Sequence, residues 1–128
     1  MGKDRAGAKE MAKKRLEYVL NKLRPHGPIT SRAMFGGYGI YYDEIIFASL
    51  IDGKLYFRVD ALNENDYELY GSEPFVFEGG KSPAVMPYRV LPDEILENGE
   101  LLPQWIEKAK QASLRHRRKA KKGKKAVR

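Results

Sequence analysis

The sequence predicts an α+β domain, with helices packed on one face of an antiparallel sheet of about five to six strands. Three observations predict it. An apolar stripe of helical period occupies residues 12–23. Runs of β-branched and aromatic residues, separated by turn signals, crowd residues 32–59. A second helical stripe opens at Pro103. The element order they give is α-β-β-β-β-α-β-β-α.

Ala12, Leu16, Val19, Leu20 and Leu23 fall at i, i+4, i+7, i+8 and i+11. The first helix is therefore expected from Ala8 until Pro25, Gly27 and Pro28 end it, with Met1 to Gly7 frayed. Four strands follow at Arg32–Phe35, Gly39–Tyr42, Ile45–Ile51 and Lys54–Val59. Asp52-Gly53 suits a type I′ hairpin between the last two, since that turn needs positive φ at its centre. Asp43-Glu44 suits another tight turn, and the spacing reads as an antiparallel meander.

Ala61–Tyr70 reads as a short helix, capped by Asp60 and stopped by Gly71. Phe75–Phe77 and Ala84–Val90 are two further strands around the turn Gly79-Gly80-Lys81-Ser82-Pro83. Pro87 marks the second of them as an edge or bulged strand. Pro92 opens a short helical turn ending near Asn98–Gly99. Pro103 then sits in the first turn of a last helix, whose buried face is Leu102, Trp105, Ile106 and Ala109.

A chain of 128 residues with eight Tyr, five Phe and one Trp can bury a real core as one domain. It has no cysteine, which removes disulfides, thiol nucleophiles and Cys-ligated zinc and suits a reducing compartment. No apolar run approaches the roughly 18 residues of a membrane span, and residues 1–15 lack the apolar centre of a signal peptide. A soluble cytoplasmic protein without membrane contact is expected.

The net charge of +7 is unevenly held. Residues 114–128 contain nine of the 24 Lys and Arg and no acid, leaving 15 basic residues against all 17 acidic ones in residues 1–113. The body is slightly acidic; the positive charge is an appendage. The division expected is a domain over 8–113 and a basic tail over 114–128, either a helical extension or disordered.

Catalytic chemistry finds little support. The only histidines are His26, in a Pro/Gly turn, and His116, inside the basic run, so Ser31, Ser49, Ser72 and Ser82 have at most one candidate base in the body. Glu64, Asp66 and Glu68 alternate along a presumed helix and diverge around it, so no metal cluster is expected. Gly79-Gly80-Lys81-Ser82 imitates the end of a phosphate-binding loop, but Phe75 stands where the first glycine belongs and Pro83 leads into a strand. Gly36-Gly37-Tyr38-Gly39 lacks the following helix of a dinucleotide motif and reads as a bulge or turn.

Two surfaces remain. Alternation along Lys54–Val59 places Leu55, Phe57 and Val59 towards the helices and Lys54, Tyr56 and Arg58 away from them, where Arg32 and Tyr41 can join. Aromatics interleaved with Arg on an open sheet stack single-stranded bases, and equally form peptide-binding, dimer or merely solvated faces. The candidate interaction surface is Arg32, Gly36, Gly37, Tyr38, Tyr56 and Arg58. The candidate nucleic-acid-binding tail is Arg115, Arg117, Arg118, Lys119, Lys121, Lys122, Lys124 and Lys125, which would bind phosphates without sequence preference.

Four segments, in order, resemble the signature of the TfoX/Sxy N-terminal domain family. They are Arg32-Ala33-Met34-Phe35-Gly36-Gly37-Tyr38-Gly39-Ile40-Tyr41, Asp52-Gly53-Lys54-Leu55-Tyr56-Phe57-Arg58-Val59-Asp60, Gly71-Ser72-Glu73-Pro74-Phe75, and Met86-Pro87-Tyr88 with Pro92 downstream. The resemblance covers about Lys9 to Ala112 and implies a two-layer α+β domain. The family's namesakes are bacterial regulators of natural competence, thought to act with the cyclic-AMP receptor protein at certain promoters, and the domain has no established catalytic activity. They carry a second, C-terminal domain resembling helix-hairpin-helix modules where this sequence has its basic tail, so a stand-alone domain is expected.

What the resemblance implies is a non-catalytic, regulator-like interaction module without a cofactor. It would have a protein partner, with a transcription regulator among the candidates, and a tail that adds non-specific nucleic-acid affinity. The family supplies no agreed functional residues. Two alternatives stay open. An enzyme or enzyme accessory acting on RNA or a small metabolite would need a deep pocket with convergent polar groups near His26, Arg32 or Tyr88. A structural homodimer would pair through an edge strand.

Overall fold

The computed structural model describes residues 2–34 and 36–126, and side-chain surroundings for residues 7–34 and 36–121. Phe35, which closes the first strand expected above, and the side chains of Lys122, Lys124 and Lys125 lie outside the described residues. The elements are α1 (Gly2–Leu23), a single 3-10 turn (Arg24–His26), β1 (Ile29–Met34), β2 (Gly37–Tyr42), β3 (Ile45–Ile51), β4 (Lys54–Arg58), α2 (Glu64–Glu68), β5 (Pro74–Phe77), β6 (Ala84–Val90), α3 (Asp93–Leu96) and α4 (Leu102–Ala126). One antiparallel sheet holds all six strands in the order β1-β2-β3-β4-β6-β5. The first four form the expected meander; β6 then enters between β4 and β5.

Residues directly opposite in antiparallel strands share a face, so the register sorts the sheet into two. Ile40 opposes Ala48, Leu50 opposes Leu55, and Ala48 opposes Phe57. These side chains are buried with Val19, Leu20 and Leu23 of α1, Tyr67 of α2, Ile95 and Leu96 of α3, and Leu102, Ile106 and Ala109 of α4. That is the core, and all four helices contribute to it. Phe47, inserted by a bulge next to Ile40/Tyr41, meets Phe57 edge to face at 5.3 Å. On the opposite face Arg32, Gly39, Ser49, Tyr56 and Val90 form one cross-strand row.

Several boundaries differ from expectation for local reasons. Helix α1 starts at Gly2 rather than Ala8, although among its described side chains only Val19, Leu20 and Leu23 are buried. Ala, Lys, Glu and Met are good helix formers, so the helix propagates upstream from the docked end. Helix α2 starts three residues late. Asn63, itself buried, accepts the Asp60 N–H at 2.8 Å and donates to the Arg58 carbonyl at 3.0 Å, and Asp60 accepts the Leu62 N–H at 3.0 Å. These bonds hold residues 60–63 as a turn instead of a first helical turn.

Pro87 does not mark an edge, because β6 has a neighbour on both sides. Its bulge reading stands. Met86, Pro87 and Tyr88 lie between the pairs Val76–Val85 and Pro74–Arg89, opposite Phe75 alone. The proline thus sits where the ladder needs no donor from it. Asp52 and Gly53 both take positive φ, 51° and 79°, as the type I′ hairpin demands.

Gly37 has a different reason for its identity. A Cβ there would fall within the carbonyl oxygen of Leu50 on the paired strand, which is backbone and cannot swing aside. Gly37→Ala is therefore expected to force β2 and β3 apart and lower stability by about 2–3 kcal/mol, read from urea unfolding.

Candidate functional site

Helix α4 runs unbroken from the core into the basic segment. Its buried stripe, Leu102, Ile106, Ala109, Ala112 and Ser113, stops where the domain ends. The next residues along that stripe are His116, Arg117 and Ala120, all exposed. Arg and Lys sustain helix, and cations near a helix C-terminus oppose its negative end favourably. From Leu114 to Ala126 the extension spans about 20 Å at 1.5 Å per residue.

Cations earlier in α4 are tied to the body or to their own helix. Lys108 binds Asp66 at 2.9 Å, Lys110 pairs with Glu107 at 3.0 Å and lies 4.2 Å from the centre of the Tyr42 ring. Arg115 is the last to be held. It donates from Nε to Asp60 at 2.6 Å and from a terminal nitrogen at 2.9 Å. Arg115, the first cation of the basic segment, is thus held against the body. Arg117, Arg118, Lys119 and Lys121 are exposed, and no carboxylate pairs with them among the described residues.

The Arg115 guanidinium holds the Asp60 carboxyl below the ordinary carboxylate range, helped by the Leu62 N–H and opposed by partial burial. A depressed folded-state pKa stabilises the fold above the unfolded-state value near 4, and that gain is lost as pH falls through the folded value. Asp60→Asn keeps an acceptor for Leu62 and removes the charge. It should cost about 1 kcal/mol at neutral pH, with the difference from the parent vanishing in acid; unfolding followed across pH 2–7 checks it.

The six residues of the candidate sheet surface do not form one patch. Arg32, Tyr56 and Arg58 share the outer face, as their alternation requires. Arg32 is exposed and stacks over Tyr41 at 4.9 Å, while Arg58 lies 5.6 Å from the Tyr88 ring. Tyr56, however, is only 8% exposed, packed against Phe75 at 5.1 Å, and has no open face for a ligand to stack on. Tyr38 opposes Leu50 and points to the helix side. With Gly36 and Gly37 it borders a cleft of about 500 Å³ whose other wall is Met11, Ala12 and Arg15 of α1.

Alternation could not foresee what lies where the end of β4 meets α4. There a cleft of about 150 Å³ is lined by Glu44, Ile45, Ile46 and Arg58 from the sheet and by Ser113, His116 and Arg117 from α4. The Ser113 hydroxyl donates to the Ile46 carbonyl at 2.6 Å and ties the two walls together. The Arg58 Nε is buried and has no hydrogen-bond partner. Its sheet wall and its helix wall stand more than fifty residues apart in sequence, and no local pattern joins them.

Of the acidic groups that sequence spacing sent apart, only Asp66 diverges; Glu64 and Glu68, four residues apart on one helix face, converge on a single arginine. Glu64 and Glu68 bind Arg89 at 2.7 and 3.5 Å, and Asp66 faces Lys108. Arg89 also donates to the Ser72 carbonyl at 3.0 Å, so this group fastens α2 to β6. Glu97 likewise accepts from Tyr18 and Lys22 and fastens α1 to α3. His26, Arg32 and Tyr88 line none of the clefts described above. Among the described residues, no helix is long and apolar enough to cross a membrane.

No curated protein matches the chain. A family model, that of the TfoX N-terminal domain, matches residues 21–113. The match begins near the docked end of α1 and stops at Ser113, the last buried residue of α4 among those described.

Proposed function

Given that the chain belongs to the TfoX N-terminal domain family, we propose that it is a non-catalytic regulatory interaction module whose α4 extension grips nucleic-acid phosphates without sequence preference. The regulation is of the kind the family's namesakes perform in transcription and competence. Its body engages a protein partner, while the extension supplies affinity for the nucleic acid on which that partner works. One observation carries the reading. Arg117, Arg118, Lys119 and Lys121 project beyond the domain on a continuous helix, unpaired among the described residues, next to a body that is slightly acidic.

The physics is counterion release. Each cation that neutralises a duplex phosphate frees condensed counterions, so affinity falls steeply with salt. A single helix with no second element to set its angle in a groove reads no sequence. The test is binding of the full chain to a random-sequence duplex, followed by fluorescence anisotropy. Raising the salt fourfold, from about 50 to about 200 mM, should weaken binding roughly 10²-fold or more. Affinity indifferent to salt, or absent at low salt, would remove the nucleic-acid half of the proposal.

A further inference from the structure

We propose that the outer face of the sheet binds a single nucleic-acid strand, with one backbone phosphate seated in the cleft formed by Arg58, His116 and Arg117. The inference rests on the reading of α4 given above and adds to it a preference for unpaired strands over duplex.

Charge complementarity selects the occupant. By the strand register, Arg32, Lys54 and Arg58 are the charged strand residues of the outer face, and among the described residues no strand places an acid on it; Glu44, in the turn before β3, is the acid nearest the cleft. A second copy laid face to face would oppose cations to cations with nothing to compensate them. An anionic ligand meets no such cost.

Shape argues for a ligand with flat apolar parts. Tyr41 and Tyr88 are partly open, each with a guanidinium (Arg32 and Arg58) over one side of its ring, and Phe77 is 48% exposed, all on this face. Unstacked bases lie on such rings, whereas a duplex hides its base faces.

The cleft supplies the fixed point. Arg58 lines the cleft, its buried Nε lacks an acceptor, and among the described residues no carboxylate pairs with its guanidinium, which leaves that charge uncommitted. Arg117 adds positive charge from the other wall and His116 a ring N–H donor, and among the described residues exposed Glu44 is the one acid lining the cleft. Because these two residues begin the free part of α4, a strand leaving the cleft passes directly onto the basic helix.

Ultraviolet cross-linking of the full chain to a short thiouridine-substituted oligouridylate tests this. Cross-links are expected in peptides carrying Tyr41 or Tyr88 as well as in residues 114–128. In parallel, Arg58→Gln should lower affinity for the oligouridylate about tenfold or more while leaving duplex affinity within about twofold. His116→Glu, a substitution at an exposed side chain that the fold tolerates, should lower the ratio of single-strand to duplex affinity in the same direction. Cross-links confined to residues 114–128, or both variants keeping the parent's ratio, would overturn the inference and leave the reading of α4 standing. Salt-independent or absent binding to both probes would overturn the two together.

Discussion

Replacing Arg117, Arg118, Lys119 and Lys121 together with glutamine should abolish most duplex binding while leaving the melting temperature unchanged. Gln has nearly the helix propensity of Arg and Lys, so α4 keeps its form. The four side chains are exposed and unpaired among the described residues, so no packing or ion pair of the domain is lost. What disappears is charge. Four fewer neutralised phosphates reduce the slope of log affinity against log salt by about 3.6, or roughly 10³-fold in affinity near 0.1 M salt. Arg115→Gln is the instructive contrast. Its guanidinium is already committed to Asp60, so it should cost stability and little binding.

Phe57→Ala is expected to be the most damaging single substitution to the fold. Phe57 is wholly buried on β4, edge to face with Phe47. Truncation removes the transfer free energy of the ring and leaves a cavity that a sheet pinned by β3 and β6 cannot close, at a cost of about 3–5 kcal/mol. Against a typical total of about 5–15 kcal/mol, that leaves a marginal domain. Phe57→Leu, which refills most of the volume, should cost under about 1.5 kcal/mol. Urea unfolding of the three proteins, with an unchanged denaturant slope, would establish the difference as one of native packing.

Much of this fold was legible because its signals are local. The bounds of β3 and β6 follow from apolar runs between turns, the hairpin at Asp52-Gly53 from its dipeptide, and the core face of α4 from its period. Errors arose where a tertiary or side-chain contact decided the matter. Asn63 turns a helix start into a loop through its bonds to Asp60 and Arg58. The insertion of β6 between β4 and β5 puts Pro87 on an inner strand, which removes the edge alternative and leaves the bulge.

The candidate site was legible by halves. Alternation placed Arg32 and Arg58 on the outer face but could not reveal that Phe75, from a distant strand, closes over Tyr56. Charge counting located the basic segment yet could not separate Arg115, paired across 55 residues of sequence with Asp60, from the free cations after it. Lone residues such as His116 carry no pattern at all; only the path of α4 past β4 brings it beside Arg58.

The central claim is that duplex nucleic acid is held by the α4 extension and not by the acidic body. Backbone amide NMR of the full chain, titrated with a short random-sequence duplex at low salt, tests it most directly. The account predicts the largest shift changes within residues 114–126, fading as salt is added. Perturbations centred on residues 8–113, with the extension unmoved, would contradict it.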